Sequence, residues 1–283
     1  MRELLDYFAA PGPLTPADAR FATLPRDVEA LCHVIQGLLL HPVEAHHYGV
    51  RLSRTRWREL SLCQVPAMLQ RIEALDAAPL YISRPPQRRL IGNCRDFATL
   101  LCAFLRAQHT PARVRYGFAR YFAPAFYTDH VICEYWQAQE QRWVRVDALV
   151  DGVLRQVYAI RANPLDLAST EFLAAGTIWQ QYRAGLVDAR EVGLSPSGPT
   201  GEDFMRAGVF HDVAAMSKVE LLCQDHWELS NAMNNEERRQ IFDALADWTS
   251  AADAHLGQLQ AAFTQHALLN APPAIRKLLQ LPS

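Results

Sequence analysis

Residues 90–150 carry the pattern that most limits how this chain can fold: one helix followed by three strands. In GNCRDFATLLCAFLRAQ (92–108), Phe97, Leu101 and Phe104 recur at spacings of four and three, which is typical of an amphipathic helix. Strand-like alternation follows in the segments ARVRYGFA, HVICEYW and RWVRVDA. We therefore expect an α+β core in which this helix packs on a small antiparallel sheet.

A cysteine stands at the start of the predicted helix. Asn93 is suited to cap the helix, and Asp96 falls in its first turn. This places Cys94 beside backbone N–H groups and a helix dipole that favour an anion, and such positions lower the pKa of a thiol from about 8.5 by one or more units. Cys94 is therefore a candidate nucleophile, although most cysteines at helix starts are structural.

A histidine and an aspartate on the last two strands are candidates for the rest of a catalytic site. A symmetric antiparallel hairpin with Trp136 opposite Gln141 brings His130 directly opposite Asp147. Opposed residues have Cβ atoms about 4.5–5.5 Å apart, within reach of an imidazole–carboxylate hydrogen bond. A nucleophilic cysteine needs such a base, and the base needs a carboxylate to orient it. Asp129 and Asp151 are alternative candidates for the carboxylate that orients the histidine. Asp129, however, adjoins His130 in sequence, so its side chain points away from the histidine on a strand.

The same segments resemble a known family. GNCRDFATLLCAFLRAQHTPARVRYGFA, then DHVICEYW, then RWVRVDA, are similar in content and order to the core of the transglutaminase-like (papain-like Cys-His-Asp) superfamily, as found in bacterial transglutaminase-like domain proteins. The resemblance implies a papain/transglutaminase-like fold in which Cys94 is the nucleophile, His130 the base and Asp147 the orienting acid. It does not select a reaction, because the superfamily includes cross-linking enzymes, amidases, proteases and amide-forming enzymes. In this chain Val131 and Ile132 stand where many members have Ala-Trp.

The sequence predicts helices on both sides of this core. We expect an N-terminal helical flank over residues 1–80, the catalytic core over 81–160, and a helical extension packed on the core over 161–283. Within the flanks, the apolar spacing predicts helices around residues 26–40, 65–75, 213–222 and 236–269, and GLSPSGPTGED (193–203) predicts a flexible loop.

Further residues are candidates for substrate contacts. The oxyanion of a tetrahedral intermediate needs donors, and the backbone N–H of Cys94 is the natural first one. Trp57 could supply an indole N–H and Asn93 an amide, with a core or surface role and N-capping as the respective alternatives. Arg89 and Arg95 are close in sequence to the nucleophile. If they line the cleft, they favour an acidic or phosphate-bearing substrate.

Composition excludes several other classes of function. The chain has 283 residues and a formal net charge of −2, which gives no global attraction to nucleic acid or anionic membrane. It has no apolar run of membrane-spanning length, and acidic residues near its start are unlike a signal peptide, so we expect a cytoplasmic protein. We expect free thiols because no two of the six cysteines form a C-x-x-C pair. No cofactor motif is apparent, and the proposed chemistry needs none.

Two other clusters suggest different functions. HPVEAHH places His41, Glu44, His46 and His47 together, but it lacks the spacing of an H-x-x-E-H zinc motif, and we expect no metal. RLSRTRWR is a basic run with one aromatic residue. Without a supporting net charge it favours a solvated or acid-paired surface over a nucleic-acid site.

Two functions from different classes remain open. The first is a cysteine-dependent acyltransferase, amide hydrolase or protease that acts on a peptide, a protein or a small amide or thioester. The alternative is a non-catalytic scaffold that binds a protein partner through its helical flanks. The complete Cys-His-Asp set favours the enzyme, because a binding module does not need all three residues. Selective alkylation of Cys94 near neutral pH would distinguish the two.

Overall fold

The computed structural model describes residues 1–222 and 235–265, which form two compact units. The first unit consists of residues 2–114 and 131–167, and the second of residue 1, residues 115–130 and the described residues from 168 onward. The helices are α1 (Arg2–Ala9), α2 (Val28–Leu38), α3 (Val65–Leu75), α4 (Cys94–Ala107), α5 (Gly152–Val157), α6 (Ala175–Arg183), α7 (Glu202–Met216), α8 (Asn235–Ser250) and α9 (Ala252–Gln265). The strands are β1 (Leu39–Leu40), β2 (Leu90–Ile91), β3 (Ala112–Ala119), β4 (Tyr127–Gln137), β5 (Arg142–Val146), β6 (Phe172–Ala174) and β7 (Val192–Gly193).

Helix α4 is the central element of the first unit. It contacts α1, α2 and α3. Leu100, Leu101 and Phe104 are completely inaccessible to solvent. Because its sides are covered by other helices, its charged residues Arg95, Asp96 and Arg106 are buried as well. The helices predicted around residues 26–40, 65–75 and 92–108 are confirmed as α2, α3 and α4.

The main sheet contains the three strands that the sequence predicted. Its order is β5-β4-β3-β6, and β7 pairs in parallel with the start of β4. In the second unit, β3 pairs antiparallel with β6, with Gly117 opposite Ala174. In the first unit, β4 and β5 form an antiparallel hairpin. The predicted α+β class, with a nucleophile-bearing helix, a small sheet and helical flanks, is confirmed.

The register of the β4–β5 hairpin differs from the predicted one by two residues. Trp136 lies opposite Trp143, not opposite Gln141, and Cys133 lies opposite Val146. The reason is the turn: β4 continues to Gln137, and Gln141 adopts a left-handed backbone conformation with φ 51°. In this register position 147 falls opposite 132, so the predicted direct opposition of His130 and Asp147 is wrong. Because side chains alternate with a period of two, a shift of two residues keeps the paired residues on their predicted faces of the hairpin.

A short parallel pair of strands fixes the approach to α4. Leu39 of β1 pairs with Leu90, and Leu40 pairs with Ile91 of β2. The N–H of Gly92 then donates to the carbonyl of Leu40 at 3.2 Å. The chain enters α4 two residues later, so its path into the helix is set by backbone hydrogen bonds.

Packed helices make up most of the second unit. Helices α6, α7 and α8 contact one another, and α9 contacts α7 and α8. Helix α6 comes very close to α8 at Gly176, where a Cβ atom would lie 2.4 Å from the carbonyl oxygen of Ala246. The indole N–H of Trp179 donates to Asp243 Oδ1 at 2.7 Å.

The C-terminal helices differ in part from the prediction. Helix α7 begins at Glu202, inside the predicted loop, and ends at Met216, so the helix predicted at 213–222 is wrong beyond Met216. Lys218 adopts a left-handed conformation with φ 60°, which ends a helix. The helical prediction for 236–269 is confirmed to Gln265, and residues 266–269 and Cys223 lie outside the described residues. The domain boundaries near 80 and 160 stay a prediction.

Candidate active site

Cys94 is the first residue of α4, as predicted, and its side chain is partly exposed. The backbone N–H of Asn93 donates to Asp96 Oδ2, and the N–H of Asp96 donates to the carbonyl of Asn93, both at 2.9 Å. These bonds fix the first turn, and the predicted N-cap at Asn93 is confirmed. The nucleophile candidate therefore stands on a capped helix N-terminus.

The other thiols have different surroundings. All five cysteines among the described residues are reduced, with Cys32, Cys102 and Cys133 buried and Cys63 partly exposed. Burial raises the pKa of Cys133 well above its usual range, and a hydrogen bond with Cys102 adds to the effect. Burial likewise raises the pKa of Cys32. Within the described chain, Cys63 is thus the natural internal reference for the reactivity of Cys94.

A buried carboxylate that sequence reasoning missed holds the segment before Cys94. Glu59 lies on a short 3-10 helix and is 7% exposed. It accepts hydrogen bonds from Arg56 at 2.6 and 3.0 Å, from Arg71 at 2.8 and 3.0 Å, and from the backbone N–H of Ile91 at 2.8 Å. Arg56 also donates to the carbonyls of Gln87 and Arg89.

This network links the 3-10 helix and α3 to strand β2. The acid-paired interpretation of the basic run is therefore confirmed for Arg56. The only sequence signal for the network was the spacing of Arg56 and Glu59, which are three residues apart, with Glu59 directly after that run.

The three remaining candidates for substrate contact lie in different environments. Arg95 is fully buried, pairs with Asp96 at 2.9 Å and donates to the carbonyl of Cys63 at 2.5 Å. Its guanidinium is thus held inside the first unit. Trp57 is 49% exposed on the same 3-10 helix as Glu59. Its role as an oxyanion donor stays a prediction.

Arg89 is partly exposed and lines a small pocket in the first unit. Its Nε donates to the carbonyl of Arg84 at 2.9 Å, and its guanidinium carbon lies 5.9 Å from the ring centre of Tyr48. Burial lowers the pKa of Arg89, an effect that nearby Tyr48 and Asp151 oppose. The Tyr48 hydroxyl donates to Asp151 Oδ2 at 2.8 Å.

Asp151 is committed to the start of α5. Its Oδ1 accepts the N–H groups of Val153 at 2.9 Å and Leu154 at 3.0 Å, which is the geometry of an N-cap. Together with the bond from Tyr48, these contacts account for both carboxylate oxygens. Asp151 therefore has a structural role in the first unit, and this weakens it as a rival catalytic acid.

His130 lies on β4 and is 3% exposed. In the second unit, the ring of Phe122 meets its imidazole at a centroid distance of 5.1 Å and an interplanar angle of 72°, and Tyr121 does so at 6.1 Å and 89°. Burial raises the pKa of the neighbouring Asp129 to about 6, against an opposing effect of His130. Asp129 is thus a carboxylate whose charged form is disfavoured.

Asp147 follows directly after β5 in the first unit and is 2% exposed. Its Oδ1 accepts the N–H of Leu149 at 2.9 Å, and its own N–H donates to the carbonyl of Pro164 at 2.8 Å. Continuing the ladder by one residue beyond Cys133 and Val146 puts position 147 opposite 132. Asp147 therefore belongs to the face of the hairpin that carries the even-numbered residues of β4.

The histidine-rich segment is held by other contacts. Tyr158 donates its hydroxyl to both oxygens of Glu44, at 2.9 and 3.1 Å, and His47 Nε2 lies 3.6 Å from Glu44. Across residues 1–222 and 235–265, no group of three or more His, Cys, Asp or Glu side chains is arranged to hold a metal ion. Over the same residues, no helix has the length and apolar character to cross a bilayer.

Comparison with known proteins supports the family resemblance. The family model of the transglutaminase-like superfamily matches residues 76–148, a segment that includes Cys94, His130 and Asp147. No curated protein and no solved structure matches the chain. On the strength of the family match, residues 76–148 carry a transglutaminase-like domain.

Proposed function

We propose that this protein is a cysteine enzyme that transfers acyl groups from an amide or a thioester, to water or to an amine. In the first step Cys94 Sγ attacks the carbonyl carbon and its proton passes to His130. The C–N or C–S bond then breaks, and the leaving group takes the proton from the imidazolium. In the second step His130 removes a proton from water or an amine, which attacks the thioacyl carbonyl carbon. The C–S bond then breaks, and the Cys94 thiolate takes the proton back from the imidazolium.

The position of Cys94 carries this proposal. It is a partly exposed thiol at the first position of a capped helix of 14 residues, inside the segment that matches the family model. The N–H groups and dipole of a helix N-terminus stabilise an anion, so we expect the thiolate to be favoured there. A purely structural cysteine would gain nothing from partial exposure at this point.

The hairpin supports the assignment of Asp147. The ladder of β4 and β5 places position 147 opposite 132, at the end of β5. Asp147 also has one carboxylate oxygen held by the N–H of Leu149. A carboxylate fixed in this way is suited to orient an imidazole.

The pH dependence of iodoacetamide labelling, read by peptide mass spectrometry, tests the proposal. Wild-type protein and the His130→Ala variant are compared, and Cys63 in the same digest serves as the internal reference. We expect Cys94 to be labelled well below pH 8 in wild type, at a higher rate than Cys63. In the variant we expect labelling of Cys94 to fall to the level of Cys63.

Labelling of Cys94 that follows Cys63 at every pH in both proteins would contradict the enzyme and favour the scaffold alternative. If the thiol is activated, a panel of amide and thioester substrates, with and without a primary amine, separates hydrolysis from aminolysis by the mass of the product. We propose peptides, proteins or small amides and thioesters as substrates, with neither nucleic acid nor membrane as a partner. We propose that the enzyme works in the cytoplasm, whose reducing conditions suit the five thiols of the described residues.

A further inference from the structure

The side chain of Gln36 binds the loop that follows Asp147. Gln36 lies in the last turn of α2, and its Nε2 donates to the carbonyl oxygens of Ala148 at 3.1 Å and Val150 at 3.3 Å. An amide NH2 group has two donors, so one nitrogen can bind both carbonyls. All of these residues belong to the first unit. Gln36 therefore joins α2 to the loop on both sides of Leu149.

The first of these hydrogen bonds leads directly to the carboxylate of Asp147. The carbonyl of Ala148 and the N–H of Leu149 are the two ends of one peptide group, which is planar and trans. That N–H donates to Asp147 Oδ1 at 2.9 Å. Because the group is planar, holding its carbonyl also fixes the direction of its N–H. Gln36 and Asp147 are thus connected by two hydrogen bonds through a single peptide group.

The loop is buried, which makes these bonds important. Ala148 and Val150 are only 2% and 3% exposed, so their carbonyls have little access to solvent. A buried carbonyl that loses its donor is unfavourable, and the peptide group would turn to find another partner. The backbone N–H of Asp147 is held separately, by the carbonyl of Pro164 at 2.8 Å. A turn of the next peptide would therefore move the side chain of Asp147 more than its backbone.

A second residue of α2 also senses Asp147. Cys32 lies four residues before Gln36, on the same face of the helix, and is buried. Burial raises the pKa of its thiol, and the charge of Asp147 adds to the effect. One face of α2 thus lies close both to the carboxylate of Asp147 and to the loop that holds it.

We propose that Gln36 is a positioning residue, which holds the peptide between Ala148 and Leu149 so that the carboxylate of Asp147 keeps the orientation needed to act on an imidazole. The inference rests on the proposed function, in which Asp147 orients His130. Hydrogen bonds in such a chain polarise one another, so loss of the first weakens the second. Gln36 acts only through Asp147 and touches no reacting atom.

Replacing the amide by an apolar side chain of the same length tests the inference. Gln36→Met removes the donor and keeps an unbranched side chain that suits a helix. The rate of iodoacetamide labelling at Cys94 is divided by the rate at Cys63. We expect this ratio to fall about fivefold below pH 8, as for the loss of one ordinary hydrogen bond. The midpoint of the pH profile of Cys94 should rise by about 0.7 unit, which is the same factor on the pH scale.

A second variant covers the case in which Gln36→Met does not fold. Gln36→Glu keeps the length and shape of the side chain but replaces the donor by a carboxylate oxygen, which the two carbonyls repel. At pH 7 we expect labelling of Cys94 to fall at least as far as in Gln36→Met.

A matched control removes an equivalent hydrogen bond elsewhere in the first unit. Gln108 is partly buried, directly follows α4 and donates its Nε2 to the carbonyl of Pro25 at 2.8 Å. Gln108→Met should destabilise the fold in urea about as much as Gln36→Met does. It should leave both the labelling rate of Cys94 and the midpoint of its pH profile unchanged.

A double variant tests whether Gln36 acts through Asp147. In the Asp147→Asn background the charge that orients the imidazole is already lost, so replacing Gln36 has little left to disturb. Gln36→Met should therefore slow labelling of Cys94 less than about twofold in that background, against about fivefold in wild type. A fivefold fall in both backgrounds would overturn the inference.

The remaining outcomes separate this inference from the proposed function. Suppose that Cys94 is activated in wild type. The same pH midpoint in Gln36→Met and Gln36→Glu, or an equal fall in Gln108→Met, would then overturn the role of Gln36 and leave the enzyme in place. Absence of activated labelling in wild type would overturn the enzyme, and the role of Gln36 with it.

Discussion

The carboxylate of Glu59 accepts the backbone N–H of Ile91 at 2.8 Å, three residues before Cys94. The same carboxylate pairs with Arg56 and Arg71, so one buried charge ties two arginines to the strand that leads into α4. The backbone geometry of the candidate nucleophile thus depends on a residue 35 positions earlier in the sequence.

Replacing Glu59 should therefore affect both stability and the thiol. Glu59→Ala leaves two cations and a backbone donor without this acceptor, which costs about 3–5 kcal/mol for a buried pair. We expect that loss in urea unfolding and slower labelling of Cys94 in the protein that remains folded.

The control is Glu73→Ala, which removes a surface carboxylate that is 46% exposed and pairs with Arg20. It should cost less than about 1 kcal/mol and leave labelling unchanged. Equal losses in both variants would contradict the assigned role of Glu59.

Gly92 is a second position that should control Cys94. A Cβ atom there would lie 3.0 Å from both Cβ and Oδ2 of Asp96, the residue that accepts the N–H of Asn93. Gly92→Ala should displace this carboxylate, destabilise the fold by about 1 kcal/mol as for a lost cap, and slow labelling of Cys94. Gly152→Ala is the matched control, because nothing lies within 4 Å of its added Cβ. Unaltered labelling in Gly92→Ala would show that the cap does not govern the thiol.

Asp147 offers a test of the orienting carboxylate. Asp147→Asn keeps an oxygen that can accept the N–H of Leu149, so the fold should be preserved, but it removes the charge that stabilises an imidazolium. We expect labelling of Cys94 below pH 8 to fall at least tenfold, with little change in thermal midpoint. Asp166→Asn, which breaks an exposed ion pair with Arg142, should leave labelling intact. A similar fall in both variants would point to a general effect of charge.

Asp129 should make stability depend on pH. Its folded pKa is raised by burial to about 6, above the value near 3.9 of an unfolded chain. The folded protein therefore binds more protons than the unfolded one between these values, and stability is lost as pH rises through 6. Asp129→Asn, which mimics the protonated acid, should match wild type near pH 4 and exceed it above pH 6. The difference should be at most about 3 kcal/mol in urea unfolding. A constant difference from pH 4 to 7 would contradict the assignment.

Local patterns predicted the elements of the fold well. The apolar spacing of α3 and α4 and the alternation of β3, β4 and β5 depend on neighbouring residues, which a sequence shows directly. The hairpin register was off by two residues because it depends on the backbone conformation of Gln141, and a left-handed glutamine leaves no clear mark in the sequence. Helix α7 was placed too late because Glu202 and Asp203 were assigned to the preceding loop and not to a first turn.

Only part of the candidate site could be predicted from the sequence, for a related reason. Cys94, Asn93 and Asp96 act within one helical turn, and the sequence showed that grouping. Glu59 acts through a contact that only the folded chain makes, since it reaches β2 from 32 residues away. The contact of Phe122 with His130, across a loop, is likewise absent from the local pattern. Arg89 and Arg95 are neighbours of the nucleophile in sequence, yet the buried Arg95 is engaged by Asp96. Proximity to Cys94 along the chain could not show that Arg89 and Arg95 have different environments.

The unequal access of the five thiols among the described residues has a consequence for handling the protein. Cys32, Cys102 and Cys133 are enclosed by the core, so of these five dissolved peroxide reaches Cys94 and Cys63 first. We therefore expect a preparation stored in air to lose labelling at Cys94 while its melting curve is still normal. Dithiothreitol should restore it while the damage has gone no further than sulfenic acid. A stored sample can therefore remain folded after the thiol of Cys94 has lost its reactivity. Retention of the fold then does not show that the candidate active site is intact.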